Sequence, residues 1–345
     1  MRVGIIPETP VERLALALGR VPTPIVETFP PIVFARCTIV ATQLGFFTAL
    51  AEHPCSAEEL ACRCQTQPRP TRLLLDALVA MRYVRYHDGR YRLARATRRW
   101  LDPASPSNVQ DYLAFTTTQW DWLGHLQAFL RDGEPILIHQ DLSTEQWQTY
   151  EAGMRSIARL TLPEVMARAG VPRQARTMLD VGGGHSLAAI TLCRRHPHLH
   201  ADVLDLPAAL TAASSLPTDV AGRIRRIAGN ALTSTLGQGM YDIVYVANLM
   251  HHFDAAQNRC LAQRIADALR PGGMWIIQDG VQGAEDQVSQ ASALGSLYFA
   301  LTSASGFWSF ADFARWQREV GLRPRRPIRL LTAPGQGLQI AVKPQ

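Results

Sequence analysis

In the second half of the chain, short apolar runs alternate with stretches whose apolar residues recur at helical spacing. Runs near 176–181, 201–205, 224–228, 241–247 and 274–279 read as buried strands. Stretches near 186–195, 207–214, 255–270 and 309–320 read as helices between or after them. Strand and helix in alternation predict a parallel, doubly wound α/β sheet. Pro271-Gly272-Gly273 is expected to stop a helix and turn into the fifth strand. Ile328–Leu331 and Leu338–Val342 flank Ala333–Gly337 and predict an antiparallel pair at the sheet edge.

The first third follows a different pattern. Prolines at 7, 10, 22, 24 and 30 surround one short helical stretch near Val11–Leu18, as in an arm. Ile32 to Ala51 is apolar enough for a largely buried helix, ending near Leu44-Gly45-Phe46-Phe47. Ser56 and Glu59 have the spacing of a capping box and open a helix to about Cys64. Pro68 and Pro70 mark a turn, and Thr71–Met81 predicts a second helix with Leu74, Leu75, Leu78 and Val79 on one face. Tyr83–Tyr86 and Tyr91–Leu93 around Asp88-Gly89 predict a hairpin. Helix, helix and hairpin in this order is a winged-helix pattern. Residues 102–170 read as helical connectors rich in aromatics, some of which could wall a pocket, with Trp120 and Met154 as candidates. The expected division is therefore 1–101, 102–170 and 171–345.

Candidate chemistry begins at Asp180-Val181-Gly182-Gly183-Gly184, between the first strand and its helix. Glycines let backbone approach a ligand closely, and the helix N-terminus presents free N–H groups. Asp205 ends the next strand, 21 residues after Gly184, where a carboxylate can accept from ribose hydroxyls. A dinucleotide fingerprint would need a small residue at Leu187. The bulk there favours a cofactor without pyrophosphate, and the combination with Gly229-Asn230 and Asp242 suits S-adenosylmethionine.

Composition narrows the classes further. A chain of 345 residues with 47% hydrophobic and 19% charged residues can bury more than one core. The beginning lacks the pattern of a secretory signal, and no unbroken apolar run of membrane-spanning length is evident. Six cysteines in this length form no disulfide framework, so a reducing, cytoplasmic setting is expected. No metal is expected: Cys62 and Cys64 lack a second pair, and His196, His198 and His200 read as a solvated loop. Lys343 is the only lysine. Ten arginines against four acids between Cys55 and Trp100 give +6, equal to the net charge of the whole chain. That concentration raises the alternative of a DNA-binding regulator.

At this point the sequence resembles the class I methyltransferases with an N-terminal winged-helix dimerisation domain, the plant caffeate-type and bacterial polyketide and phenazine O-methyltransferases. Leu44-Gly-Phe-Phe47 and Ser56-Ala-Glu-Glu-Leu60 are similar to the dimerisation domain. Leu179–Gly184, Asp205-Leu206-Pro207 and Gly229-Asn230 are similar to the cofactor-binding motifs, and Asn248–Asp254 to the segment carrying the catalytic histidine. The resemblance implies a Rossmann-like methyltransferase domain and a homodimer built through the N-terminal domain, which does not usually bind nucleic acid in the family; with no long apolar run, no membrane partner is expected. It implies S-adenosylmethionine as cofactor and S-adenosylhomocysteine as product, held by Asp180, Gly182, Gly184, Asp205, Leu206, Gly229, Asn230, Ala231 and Asn248. His251 falls on the base position, His252 follows it, and Asp279 matches an acid that orients the base. Three positions depart from the pattern: Ser186 replaces a glycine, Ala247 a cation, and Phe307 an acid.

The residues also support the role of base independently. His251 follows the fourth strand, at the carboxyl end of the sheet where ligands bind. An imidazole titrates at about 6.5 and a phenol at about 10, so the proton is taken as the new bond forms. Phe307 and Trp308 are expected to make their side of the pocket apolar, with Thr302 nearby, which suits a flat aromatic acceptor. The expected function is O-methylation of an aromatic secondary metabolite. The alternatives are C- or N-methylation, or non-methylating chemistry on the same fold, which the loss of an acid at Phe307 motivates.

Overall fold

The computed structural model describes residues 4–283 and 289–345. The chain divides into two compact units, one up to Thr117 and one from Thr118 to Gln345.

In the first unit, Thr9 and Glu12 form a capping box on the helix Pro10–Ala17. The apolar stretch holds two helices, and the first ends near Leu44–Gly45 as expected. Phe29–Gln43 ends where Gly45 takes φ +73°, and Phe46–Glu52 restarts in a new direction. The second piece buries Phe46 and Phe47, whereas the first buries only Thr38, Ile39 and Ala41. Phe29, Ile32, Val33 and Phe34 remain exposed, as do Val11, Leu14 and Leu18 on the arm. By length and composition alone, Thr23–Gln43 is also apolar enough to cross a membrane, although Glu27 and Arg36 interrupt its apolar run.

The Ser56–Glu59 box opens Ala57–Arg63 as expected. Pro68 and Pro70 do not precede the next helix but begin it, at Pro68–Ala80. First-turn N–H groups have no intrahelical acceptor, so proline costs nothing there. The hairpin strands are β1 (Val84–His87) and β2 (Arg90–Leu93). Asp88 and Gly89 both take positive φ, as a two-residue primed turn requires. Leu50, Leu60, Leu75, Leu78, Val84 and Leu93 close this core.

The second unit is built on an eight-stranded sheet. Its strands are β3 (Thr177–Val181), β4 (His200–Asp205), β5 (Ile224–Ala228), β6 (Tyr241–Ala247), β7 (Leu269–Gly280), β8 (Arg323–Pro324), β9 (Ile328–Arg329) and β10 (Gln336–Val342). The order is β5-β4-β3-β6-β7-β10-β8, with β9 also on β10. The first five strands are parallel and β10 is antiparallel to β7. Strand order reverses between β3 and β6, which opens a crevice at their carboxyl ends.

Thr144–Arg168 and Leu187–Arg195 cover one face of the sheet, and Ala255–Ala268 and Phe310–Glu319 the other. Asp242 ties the starts of β3 and β6 by accepting from the backbone N–H groups of Arg176 and Thr177. The Pro271-Gly272-Gly273 turn differs from expectation. The helix ends at Ala268, and the three residues lie inside β7 as an irregularity, with Gly272 at φ +77°. Gly272 donates to the carbonyl of Lys343, and Lys343 to that of Gly273, so the edge of β10 absorbs the kink.

Candidate active site

A cavity of about 550 Å³ opens at the crevice. Its floor is the glycine turn after β3. Gly182 takes φ +73°, and a Cβ there would come within 3.1 Å of Leu249. A Cβ on Gly184 would lie 2.5 Å from the carboxylate of Glu151. Asp205 accepts the Gly184 N–H on Oδ2 and the Leu206 N–H on Oδ1, each at 2.7 Å. This holds the turn against the end of β4 while leaving each oxygen a further lone pair for a ligand.

Asp180, Gly182, Gly184, Asp205, Leu206, Gly229, Asn230, Ala231 and Asn248 all line this one cavity. Asn230 accepts the Leu232 N–H on its side chain, and Asn248 takes φ +48°.

Three carboxylates meet at this end. Burial, then the charge of Asp205, pushes Glu151 up to about 8 and Asp180 up to about 7. Burial also raises Asp205, against the two N–H groups that support its charge.

The other end is aromatic and carries imidazoles. Leu137, His139, Trp147, Tyr150, Met154, His252, Thr302 and Ser303 line it. His139 Nε2 lies 3.2 Å from the Tyr150 hydroxyl, and its ring is 4.7 Å from that of His252. Burial, then the neighbouring His251, lowers His139 to about 4. Burial and the two flanking imidazoles hold His252 well below the usual histidine range. His252 Nδ1 is 2.5 Å from Ser303 Oγ.

His251 is 3% exposed and is not among the cavity-lining residues. Its ring centroid lies 4.2 Å from that of His252. Its Nδ1 is 2.5 Å from Asp279 Oδ1, and Asp279 also accepts from the N–H groups of Met250 and Gly280. Phe299 lies across the face of the His251 ring at 3.8 Å.

Three expected pocket residues sit elsewhere. Phe307 is wedged where Cβ atoms on Gly280 and Gly295 would otherwise be, with its ring edge-on to His251 at 5.9 Å. It fills the space behind the histidine instead of walling the cavity. Trp308 packs on Trp316 and donates to the carbonyls of Met250 and Phe253, so it braces the loop that carries the histidines. Trp120 is half-buried on a helix whose neighbouring residues, Gln119 and Trp122, engage Tyr298, and it does not line this cavity. The sequence reading had not singled out Glu151, His139 or Phe299. Glu151 had one legible signal, as an acid three residues before Met154 on the same helix.

The Phe307 wedge gives a stability test. Gly295→Ala gains about 1 kcal/mol of helix propensity but forces a methyl into a ring fixed from both sides, at about 1–3 kcal/mol. A net fall in melting temperature is expected, and an unchanged or raised value would show that Phe307 has room to move.

Comparison with known proteins decides what this geometry belongs to. Residues 126–316 match the O-methyltransferase domain model. The chain belongs to this O-methyltransferase family. Residues 27–103 match the O-methyltransferase dimerisation domain, which includes the whole arginine-rich segment. Among similar proteins is the 3-hydroxy-5-methyl-1-naphthoate 3-O-methyltransferase of Streptomyces sahachiroi, 28% identical over 88% of this chain and 90% of its own length. The tetracenomycin polyketide synthesis 8-O-methyl transferase of Streptomyces glaucescens is 29% identical over 83% and 87%. The human N-acetylserotonin methyltransferase, solved in complex with S-adenosylmethionine, shares the fold with a TM-score of 0.81 at 18% identity, covering 98% of this chain and 99% of that one.

The protein is thus an S-adenosylmethionine-dependent O-methyltransferase. The cavity fits that cofactor. Asp205 offers acceptors for a ribose, and Glu151 Oε2 is buried with no partner among the described residues, next to the turn where a cation can sit.

Proposed function

We propose that the enzyme methylates a hydroxyl on a flat aromatic secondary metabolite, with His251 as general base and Asp279 as its positioning partner. The observation that carries this reading is a single cavity with carboxylates and a glycine turn at one end, aromatic rings at the other, and the His251–Asp279 pair against its wall. When bound, S-adenosylmethionine supplies a methyl group on a sulfonium, an electrophile that needs no further activation.

The chain's own residues do the rest. Asp205, Leu206, Gly229, Asn230 and Ala231 hold the nucleoside part, while Asp180, Gly182, Gly184 and Asn248 shape the turn side. Trp147, Tyr150, Met154 and Thr302 clamp the acceptor's rings, and alignment of this kind lowers the barrier most. With Nδ1 held by Asp279, Nε2 of His251 is the atom left to take the acceptor's proton. His251 sits one ring behind the cavity lining, its centroid 4.2 Å from that of His252. His252, flanked by two imidazoles and held down in basicity, is a contact for the acceptor and a poor base.

The test is product analysis by mass spectrometry and NMR with naphthol- and polyketide-type phenols. A product heavier by one methylene, with the new methyl on oxygen, is expected. Transfer to carbon or nitrogen, or a product without the gain, would remove this reading.

We also propose a homodimer through residues 27–103, in a cytoplasmic setting that suits six free cysteines. The exposed Val33 and Phe34 on Phe29–Gln43 are the expected contact. Light scattering should give twice the chain mass for the native protein, and Val33→Asp with Phe34→Asp should shift it to the monomer. A native monomer would rule the assembly out.

A further inference from the structure

Glu151 sits on the helix Thr144–Arg168, which also presents Trp147, Tyr150 and Met154 to the cavity. Its carboxylate lies directly over Gly184, so close that a Cβ there would be 2.5 Å from Oε1 and 2.6 Å from Oε2. The residue is 6% exposed, and Oε2 has no hydrogen-bond partner among the described residues. A buried, unpartnered carboxylate is costly when ionised and ordinarily becomes neutral or finds a cation.

The surrounding groups supply no such cation directly. From β3 comes Asp180, and from the end of β4 Asp205, both acids. From the turn comes His185, whose Nδ1 accepts the Leu187 N–H and which burial lowers to about 4. From β5 comes Arg226, whose guanidinium donates to Ser186 Oγ and the Ser214 carbonyl. Its own helix adds Tyr150, which remains a neutral phenol, and Arg155, whose charge acts on His185. Asp205 has two backbone donors, and Asp180 has a backbone hydrogen bond from Ala189. Of the three carboxylates, Glu151 alone combines burial with an unpartnered oxygen among the described residues.

We infer that Glu151 carries a proton in the ligand-free site and releases it to solvent when the ammonium-bearing cofactor enters, becoming the counter-charge to that cation. The inference rests on the reading of this cavity as the S-adenosylmethionine site. The exchange balances: the O–H bond of the neutral carboxyl breaks, the proton leaves to buffer, and the cavity gains one cation and one carboxylate. It makes cofactor affinity depend on pH, rising as pH rises through the range in which the free site loses its proton.

Calorimetry of S-adenosylhomocysteine binding at neutral pH, in buffers of different ionisation enthalpy, tests this without turnover. That ligand carries the ammonium and has no methyl to transfer. Saturable binding should release close to one proton. In Glu151→Gln, of nearly the same volume, the release should fall close to zero and affinity should drop by about 10–100-fold, the effect of losing one charged hydrogen bond. Saturable binding by the native protein with no buffer dependence would overturn the inference. So would a release that persists in Glu151→Gln and disappears in Asp180→Asn. Absence of saturable binding by the native protein would instead overturn the cofactor assignment beneath it.

Discussion

Replacing His251 by alanine is expected to lower turnover by about 10²–10⁴-fold, the usual contribution of a general base. Affinity for S-adenosylhomocysteine should stay within a few-fold, because His251 is not among the residues lining the cavity. The two histidines are neighbours with different surroundings. His251 has a carboxylate 2.5 Å from Nδ1 to balance the charge it acquires, and that carboxylate is itself fixed by two backbone N–H groups. His252 is buried, with two imidazoles beside it and only a hydroxyl on Nδ1, so protonating it is unfavourable. His252→Ala should therefore raise KM for the acceptor more than it lowers kcat. His251→Ala should lower kcat and kcat/KM together, the signature of an interaction made in the transition state. The reverse pattern, with kcat collapsing only in His252→Ala, would move the base to His252.

The second large effect is expected at Asp205. Its two oxygens already anchor Gly184 and Leu206, so the carboxylate both shapes the turn and offers lone pairs to a ribose. Asp205→Ala removes charged hydrogen bonds worth about 1.5–3 kcal/mol each and frees two backbone donors. Cofactor affinity should fall by roughly 10²-fold or more, measured by calorimetry with S-adenosylhomocysteine, while the sheet still folds. Affinity unchanged in this variant would mean that the ribose lies elsewhere.

The central strands β3, β6 and β7 were legible because they are largely buried on both faces and read as nearly continuous apolar runs. The glycine turn and Asp205 were legible because ligand approach and strand-end geometry demand particular residue types at a fixed spacing. The less legible parts depended on what lay opposite. The run Ile32–Ala51 looked like core, yet its first half leaves Val33 and Phe34 exposed. Gly45 marked the end of that helix, but the restart of a second helix at Phe46 is a backbone event that hydrophobicity does not encode. Phe307 and Trp308 were rightly placed near the histidine loop but face behind it. Whether a ring lines a cavity or fills a slot depends on Gly280 and Gly295, far away in sequence. Glu151 and His139 come from the helical segments before the sheet and converge on the site only through the fold.

One cavity joins the cofactor site to a base one ring away. The most direct measurement is single-turnover methyl transfer with isotopically labelled S-adenosylmethionine, comparing the native enzyme with His251→Ala at saturating cofactor. Label is expected on an acceptor oxygen in the native enzyme, with the transfer step slowed by about 10²-fold or more in the variant while cofactor stays bound. Equal transfer rates in both would contradict it.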